Sequence, residues 1–228
     1  MSVPTDKSQK KYFEAEHSFH RRWNHFVVQK FASQRWDLLE NVISMGEIET
    51  ALDAGAGAGF STAYAPFNKV WAGDRSIYML DQHPFPTEKL LALDVLDLPF
   101  LDDTFDLVFA WELLHHCVDP YIVVDELTRV SRRFVILFEP NRNNPAQALF
   151  ALYDREHRWV LRYSLRYMIQ IASNSGLDIL AAGSGGWIFP NRTPGWLLGI
   201  LKLLPYKLPV FGISNYVICE KPRKFVQY

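Results

Sequence analysis

The run Asp53-Ala54-Gly55-Ala56-Gly57-Ala58-Gly59 sets an acid two residues ahead of three glycines spaced by two. Glycine at every second position lets a backbone pass against a ligand with no Cβ between them. The apolar Ala51-Leu52 before it reads as a strand end, and Phe60-Ser61-Thr62 after it as the start of a helix. Such a turn aims unpaired helix N-terminal N–H groups at the ligand. A dinucleotide turn needs Gly-x-Gly-x-x-Gly. Counted from Gly55 the third glycine falls on Phe60, and counted from Gly57 on Thr62, so the spacing argues against a nicotinamide oxidoreductase. An acid at Asp53 is a poor neighbour for a pyrophosphate. It suits a ligand that carries an ammonium or a sulfonium.

A second acid, Asp74, ends the apolar run Val70-Trp71-Ala72-Gly73 and is followed by Arg75. An acid at this distance from a glycine turn can accept hydrogen bonds from both hydroxyls of a ribose. Downstream stand Asp94-Val95-Leu96-Asp97-Leu98-Pro99-Phe100, Phe105-Asp106-Leu107-Val108 and Trp111-Glu112-Leu113-Leu114-His115-His116-Cys117. Together, over about residues 48–140, these blocks resemble the class I S-adenosylmethionine (SAM) methyltransferases, and most nearly their small-molecule group. The resemblance implies SAM as cofactor, held by Asp53, Gly55, Gly57, Gly59, Asp74, Arg75 and Trp111. It also implies that Asp94, rather than Asp97, contacts the adenine amino group and that the Val95 backbone reads the ring edge. The family's usual Pro-Gly-Gly turn before the fifth strand is replaced by Val130-Ser131-Arg132-Arg133, so the connection there must be tighter.

SAM brings the reactive carbon, so the protein must supply alignment, desolvation and, for some acceptors, a base. His116 is the best-placed base, about one helical turn past the fourth strand, with His115 behind it. The resemblance to phosphoethanolamine methyltransferases implies an N-terminal tyrosine as partner, for which Tyr12 is the candidate. Glu112 can touch the methionine amine or the acceptor. Asn141 and Arg142, in the polar loop Glu139–Pro145, and Trp187 are candidates for binding the acceptor. His115, His116 and Cys117 lack metal-ligand spacing, and no metal site is expected.

The elements that must position these groups read as α/β. Strands are expected at 49–53, 69–74, 90–94, 105–110, 133–139, 177–184 and 214–220, with a helix over 160–175 before the sixth. The alternation implies a mostly parallel sheet with helices on both faces, and the resemblance implies a Rossmann-like methyltransferase fold of seven strands with an antiparallel last strand. Residues 1–46 form an N-terminal helical cap containing two helices, and 47–228 form the SAM-binding domain. Residues 185–213 are a cap insertion, because a bare hairpin needs only a few residues.

At 228 residues the chain holds one full core with additions, and the two cysteines make no disulfide framework, which suits the cytoplasm. No transmembrane segment is expected, since lysines and prolines interrupt the apolar tract 196–211. Residues 47–106 carry eleven acids and three bases, whereas 140–228 carry eleven bases and four acids. A basic rim facing an anionic small molecule follows from that asymmetry. An RNA or protein methyltransferase is the first alternative, weakened by the absence of an RNA-binding domain and by Trp111-Glu112-Leu113-Leu114 standing where an Asn-Pro-Pro-Tyr-type sequence would. A non-catalytic SAM-fold binding module is the second. The oligomeric state is left open.

Overall fold

The computed structural model describes residues 21–153 and 156–222, and for Glu156 and His157 the backbone alone. Its strands are β1 (Thr50–Ala54), β2 (Lys69–Asp74), β3 (Leu90–Ala92), β4 (Phe105–Trp111), β5 (Ser131–Pro140), β6 (Asp178–Gly185) and β7 (Ser214–Glu220). Its helices are α1 (Phe26–Glu40), α2 (Ile77–Leu80), α3 (Pro120–Val130), α4 (Pro145–Tyr153), α5 (Leu165–Asn174) and α6 (Leu198–Leu201). One seven-stranded sheet runs in the order β3-β2-β1-β4-β5-β7-β6. β1 to β5 pair in parallel, and β7 lies antiparallel between β5 and β6.

The central strands are apolar on both faces, as a covered sheet requires. In β5, Phe134, Ile136 and Phe138 enter one core while Val135 and Leu137 enter the other. The first core packs α1 through Ala32, Trp36 and Leu39. The second packs α3 through Val123 and Leu127 and α5 through Met168 and Ile171. Local signals set the helix starts. Asp119 caps α3 by accepting from the Tyr121 N–H at 2.9 Å, with Pro120 in the first turn, where its missing N–H costs nothing. Ser164 caps α5 in the same way through Tyr167. The connection between α3 and β5 has no spare residue. Ser131 both donates its N–H to the Leu127 carbonyl and begins the strand.

Three expected elements come out differently. The helix expected after the glycines is a single 3₁₀ turn, Thr62–Tyr64. Pro66 follows it closely and β2 begins at Lys69, which leaves no length for an α-helix. β3 ends at Ala92, so Asp94 lies beyond the strand. The helix expected over 160–175 is a 3₁₀ segment, Glu156–Arg162, followed by α5. The earlier part of the expected N-terminal helix pair and Tyr12 fall outside the described residues.

Candidate active site

At the carboxyl ends of β1, β2 and β4 lies a cavity of about 1080 Å³. Gly55, Gly57 and Gly59 take φ values of +80°, +51° and +84°, a left-handed backbone that non-glycine residues rarely adopt. The Gly55 and Ala56 N–H groups both donate to the Gly73 carbonyl, at 2.8 and 2.9 Å, which clamps the turn onto β2. Gly55, Ala56, Gly57 and Ala58 line the cavity, while Gly59 stands behind it, packed on His83 and Pro84.

Asp53 is fully buried and is not in the cavity wall. Its Oδ2 accepts from the Ser61 hydroxyl and from the Thr62 hydroxyl at 2.5 Å, so it closes the loop from beneath. Its Oδ1 is buried without a hydrogen bond, and burial raises the carboxyl pKa to about 7. Asp74 does face the cavity. Its two oxygens accept from the Gly57 and Ser76 N–H groups, each at 2.8 Å, which leaves further lone pairs for a ligand. Burial raises its pKa and the backbone N–H donors oppose that rise. Arg75, Asp94, Val95 and Leu96 continue the same wall, whereas Asp97 does not reach it.

At the end of β4, Trp111 is in the wall and the chain turns sharply at Glu112, whose φ is +58°. The Glu112 N–H donates to the Phe138 carbonyl at 2.6 Å, holding the turn in place. Its carboxylate pairs with Arg35 of α1 at 2.7 Å. Arg35 is only 1% exposed, also donates to Ser214 Oγ at 2.6 Å, and lies 3.9 Å over the Phe31 ring. A cation buried this deeply needs such a partner.

Beyond the turn, His115 and His116 both line the cavity. His115 is buried, and its Nδ1 lies 2.7 Å from Glu139 Oε2. Glu139 also accepts the Leu114 N–H at 2.6 Å and the His115 N–H at 3.3 Å, so this one carboxylate fixes the whole turn. His116 is half-buried, its ring 4.0 Å from that of His115. The Cys117 thiol beside them is pushed up to about 12 by burial and by Glu139 and Asp94, which keeps it protonated and a poor nucleophile.

Three of the expected acceptor residues sit elsewhere. Asn141 is buried and donates to the Val210 and Gly212 carbonyls, tying β5 to the 185–213 segment. Arg142 reaches the Leu161 carbonyl at the surface, and the Trp187 indole N–H donates to the Pro205 carbonyl. None of the three lines the cavity. The outer wall is instead built from Arg22, Trp23, Gln147, Phe150, Phe189 and Arg192. Arg21 joins two of these segments, donating to the Pro190 and Thr193 carbonyls, each at 2.8 Å, and to Asn191. The Arg21-Arg22-Trp23 triplet was a visible signal of paired charge and aromatic surface, but nothing local marked it as part of a site. Among the described residues no group of three or more His, Cys, Asp or Glu side chains is placed to hold a metal.

Comparison with known proteins agrees with this geometry. Residues 52–138 match the family described as a methyltransferase domain. The demethylmenaquinone methyltransferase of Mycolicibacterium paratuberculosis is 28% identical over 170 residues, covering 67% of this chain and 73% of that protein. A possible histamine N-methyltransferase of Thermotoga maritima shares the fold at a TM-score of 0.68 and 12% identity, covering 93% and 98% of the two chains. A SAM-dependent methyltransferase of Archaeoglobus fulgidus does so at 0.61 and 14%, covering 92% and 99%. The chain carries a SAM-dependent methyltransferase domain.

The wall of this methyltransferase fits its cofactor, SAM. Gly57 offers bare backbone in a left-handed conformation, and a Cβ there would lie 3.2 Å from Met79 Cε. Asp74 and Asp94 both line the cavity and carry carboxylate acceptors, which suit the hydroxyl and amino donors of a nucleoside. The cavity is also large enough for a nucleoside and an acceptor side by side.

Proposed function

We propose that the methyltransferase moves a methyl group to a small acceptor, apolar or anionic. The observation that carries this reading is the outer wall, where Trp23, Phe150 and Phe189 alternate with Arg22 and Arg192. Aromatic faces suit a flat apolar body, and guanidinium groups suit an anion. The Arg192 guanidinium lies 3.9 Å over the Phe150 ring, so charge and apolar surface meet at one point. The kinship with demethylmenaquinone methyltransferases supports an acceptor of quinone type. The free thiols Cys117 and Cys219 suit a cytoplasmic protein.

In this reading Asp74 accepts from the ribose hydroxyls, with Arg75 beside it, Asp94 accepts from the adenine amino group, and the Val95 backbone reads the ring edge. Gly55 and Gly57 pass under the amino-acid end. Asp53 and Gly59 keep the loop in shape from behind. Bound SAM supplies an electrophilic methyl carbon. Trp111 excludes water beside it, and Glu112, aimed by Arg35, orients the acceptor or the methionine amine. His116 takes the proton that a hydroxyl or ammonium acceptor must lose, with Tyr12 as its partner. His115, locked by Glu139, sets the position of His116. Residues 1–46 and 185–213 act together as the cap, supported by the Arg21 bonds to Pro190, Asn191 and Thr193. Asn141 holds that cap to β5, and Arg142 and Trp187 brace it.

Calorimetric titration of the purified chain with SAM and with NADH, followed by single-turnover assays on a demethylated quinol, an anionic phenol, a neutral phenol and RNA, tests the reading. Micromolar SAM binding and methylation of the first two acceptors are expected. Turnover of RNA alone would replace the small-molecule assignment.

A further inference from the structure

Two stretches beside the outer wall turn apolar side chains away from the protein. On α4, which carries no charge, Leu149, Leu152 and Tyr153 are exposed, Tyr153 by 82%. Along 185–213, Leu198 and Leu201 pack inward beside Val27 and Phe31. This satisfies the inner side of that segment and leaves Trp196 and Leu203 each 79% exposed, with Ile200 and Phe211 more than half exposed. The two stretches adjoin. Asn144 at the head of α4 donates to the Phe211 carbonyl at 2.7 Å, and Arg192 stacks on Phe150 of α4. Phe150 and Arg192 also line the cavity, so the apolar surface is continuous with the acceptor end. Apolar surface of this extent marks an interaction site.

Charge selects the occupant. Residues 185–213 contain Arg192, Lys202 and Lys207 and no acid. All three bases are exposed. A second copy docked on the same face would set these cations against their own images with no carboxylate from the segment to pair them. Anionic headgroups over an acyl layer meet both features. Tryptophan sits at the headgroup boundary, lysine and arginine reach the phosphates, and leucine and isoleucine enter the apolar layer.

We propose that this face seats the methyltransferase on an anionic phospholipid bilayer, bringing the acceptor end of the cavity against the lipid. Attachment is peripheral, and no helix among the described residues is long and apolar enough to cross a membrane.

Co-sedimentation of the full chain with two kinds of vesicle tests this: phosphatidylcholine alone, and phosphatidylcholine with phosphatidylglycerol. Binding to the anionic vesicles is expected, at least about fivefold tighter than to the neutral ones, the contribution of a single base near such a surface. The Trp196→Glu, Leu203→Glu double variant should weaken that binding by about tenfold or more. Lys202→Glu with Lys207→Glu should abolish the preference for anionic lipid. These exposed substitutions should leave calorimetric SAM affinity unchanged, which verifies the fold. Vesicle binding is read without turnover, so a different acceptor chemistry leaves the expected result intact. Failure to bind either vesicle, or undiminished binding by the Trp196→Glu, Leu203→Glu variant, overturns the assignment. So does a concentration-dependent dimer that this variant abolishes, since a second copy would then own the face.

Discussion

The two ends of the cavity are built by opposite means. At the proposed cofactor end, Gly55, Gly57, Asp74 and Asp94 follow the sheet in chain order, and backbone does much of the shaping. At the proposed acceptor end, side chains from 21–35, 146–150 and 189–192 converge, and three hydrogen bonds from Arg21 hold two of those segments together. The first end is acidic and the second basic and aromatic. A site assembled from backbone tolerates little change at a few positions. One assembled from distant side chains spreads its specificity over many replaceable contacts.

That contrast predicts separable defects. The largest effect is expected from His116→Ala, which should slow single-turnover methyl transfer by about 10²–10⁴-fold with SAM affinity nearly unchanged. Full rate in rapid-quench measurements would make His116 a packing residue and break the division. Gly57→Arg puts a side chain on a left-handed backbone in the cavity wall and should weaken SAM binding by about 100-fold or more in calorimetry. Asp74→Asn keeps the side-chain size but sets an NH2 donor against the Gly57 or the Ser76 N–H, and should cost about tenfold in SAM affinity. Arg22→Ala combined with Arg192→Ala should raise KM for an anionic acceptor about fivefold while leaving SAM affinity and the KM of a neutral analogue alone. A parallel loss of SAM affinity would show that the two ends are not independent.

Stability of the ligand-free protein should also depend on pH. Asp53 is raised from 3.8 to about 7, so the folded state holds its proton more tightly than the unfolded chain. Its contribution therefore declines as pH rises from about 4 to 7 and is flat above. His83 is lowered by burial from 6.5 to about 4, so its contribution declines as pH falls across that window. The two slopes oppose each other in the native protein. Asp53→Asn removes the falling slope of Asp53, so thermal midpoints should fall less, or rise more, with pH from about 4 to 6.5 than in the native protein. A pH dependence unchanged by the substitution would mean Asp53 is ionised when buried.

The sequence was most legible where one residue type answers one local demand. The glycines at 55, 57 and 59 announce positive φ, and all three have it. Likewise, β7 spans the expected 214–220. The expected helix after the glycines failed because the nearness of Pro66 and β2 outweighed the local pattern. Asp53 was legible as an acid at the turn, but not as one turned inward to Ser61 and Thr62. Asn141 looked like a ligand because polar loops near a sheet end often are, yet its amide serves the Val210 and Gly212 carbonyls.

The sequence by itself determined the class of fold, the glycine loop and the cofactor. Each of these depends on short-range spacing and backbone permission, which a linear pattern records. Only the tertiary structure decided that Arg35 neutralises Glu112, that Glu139 locks His115, and that Arg21 joins the N-terminal region to residues 190–193. Those pairs lie 77, 24 and about 170 residues apart. Buried charges must find partners somewhere, and which partner is set by how β7 and α1 bring distant chain together on the sheet.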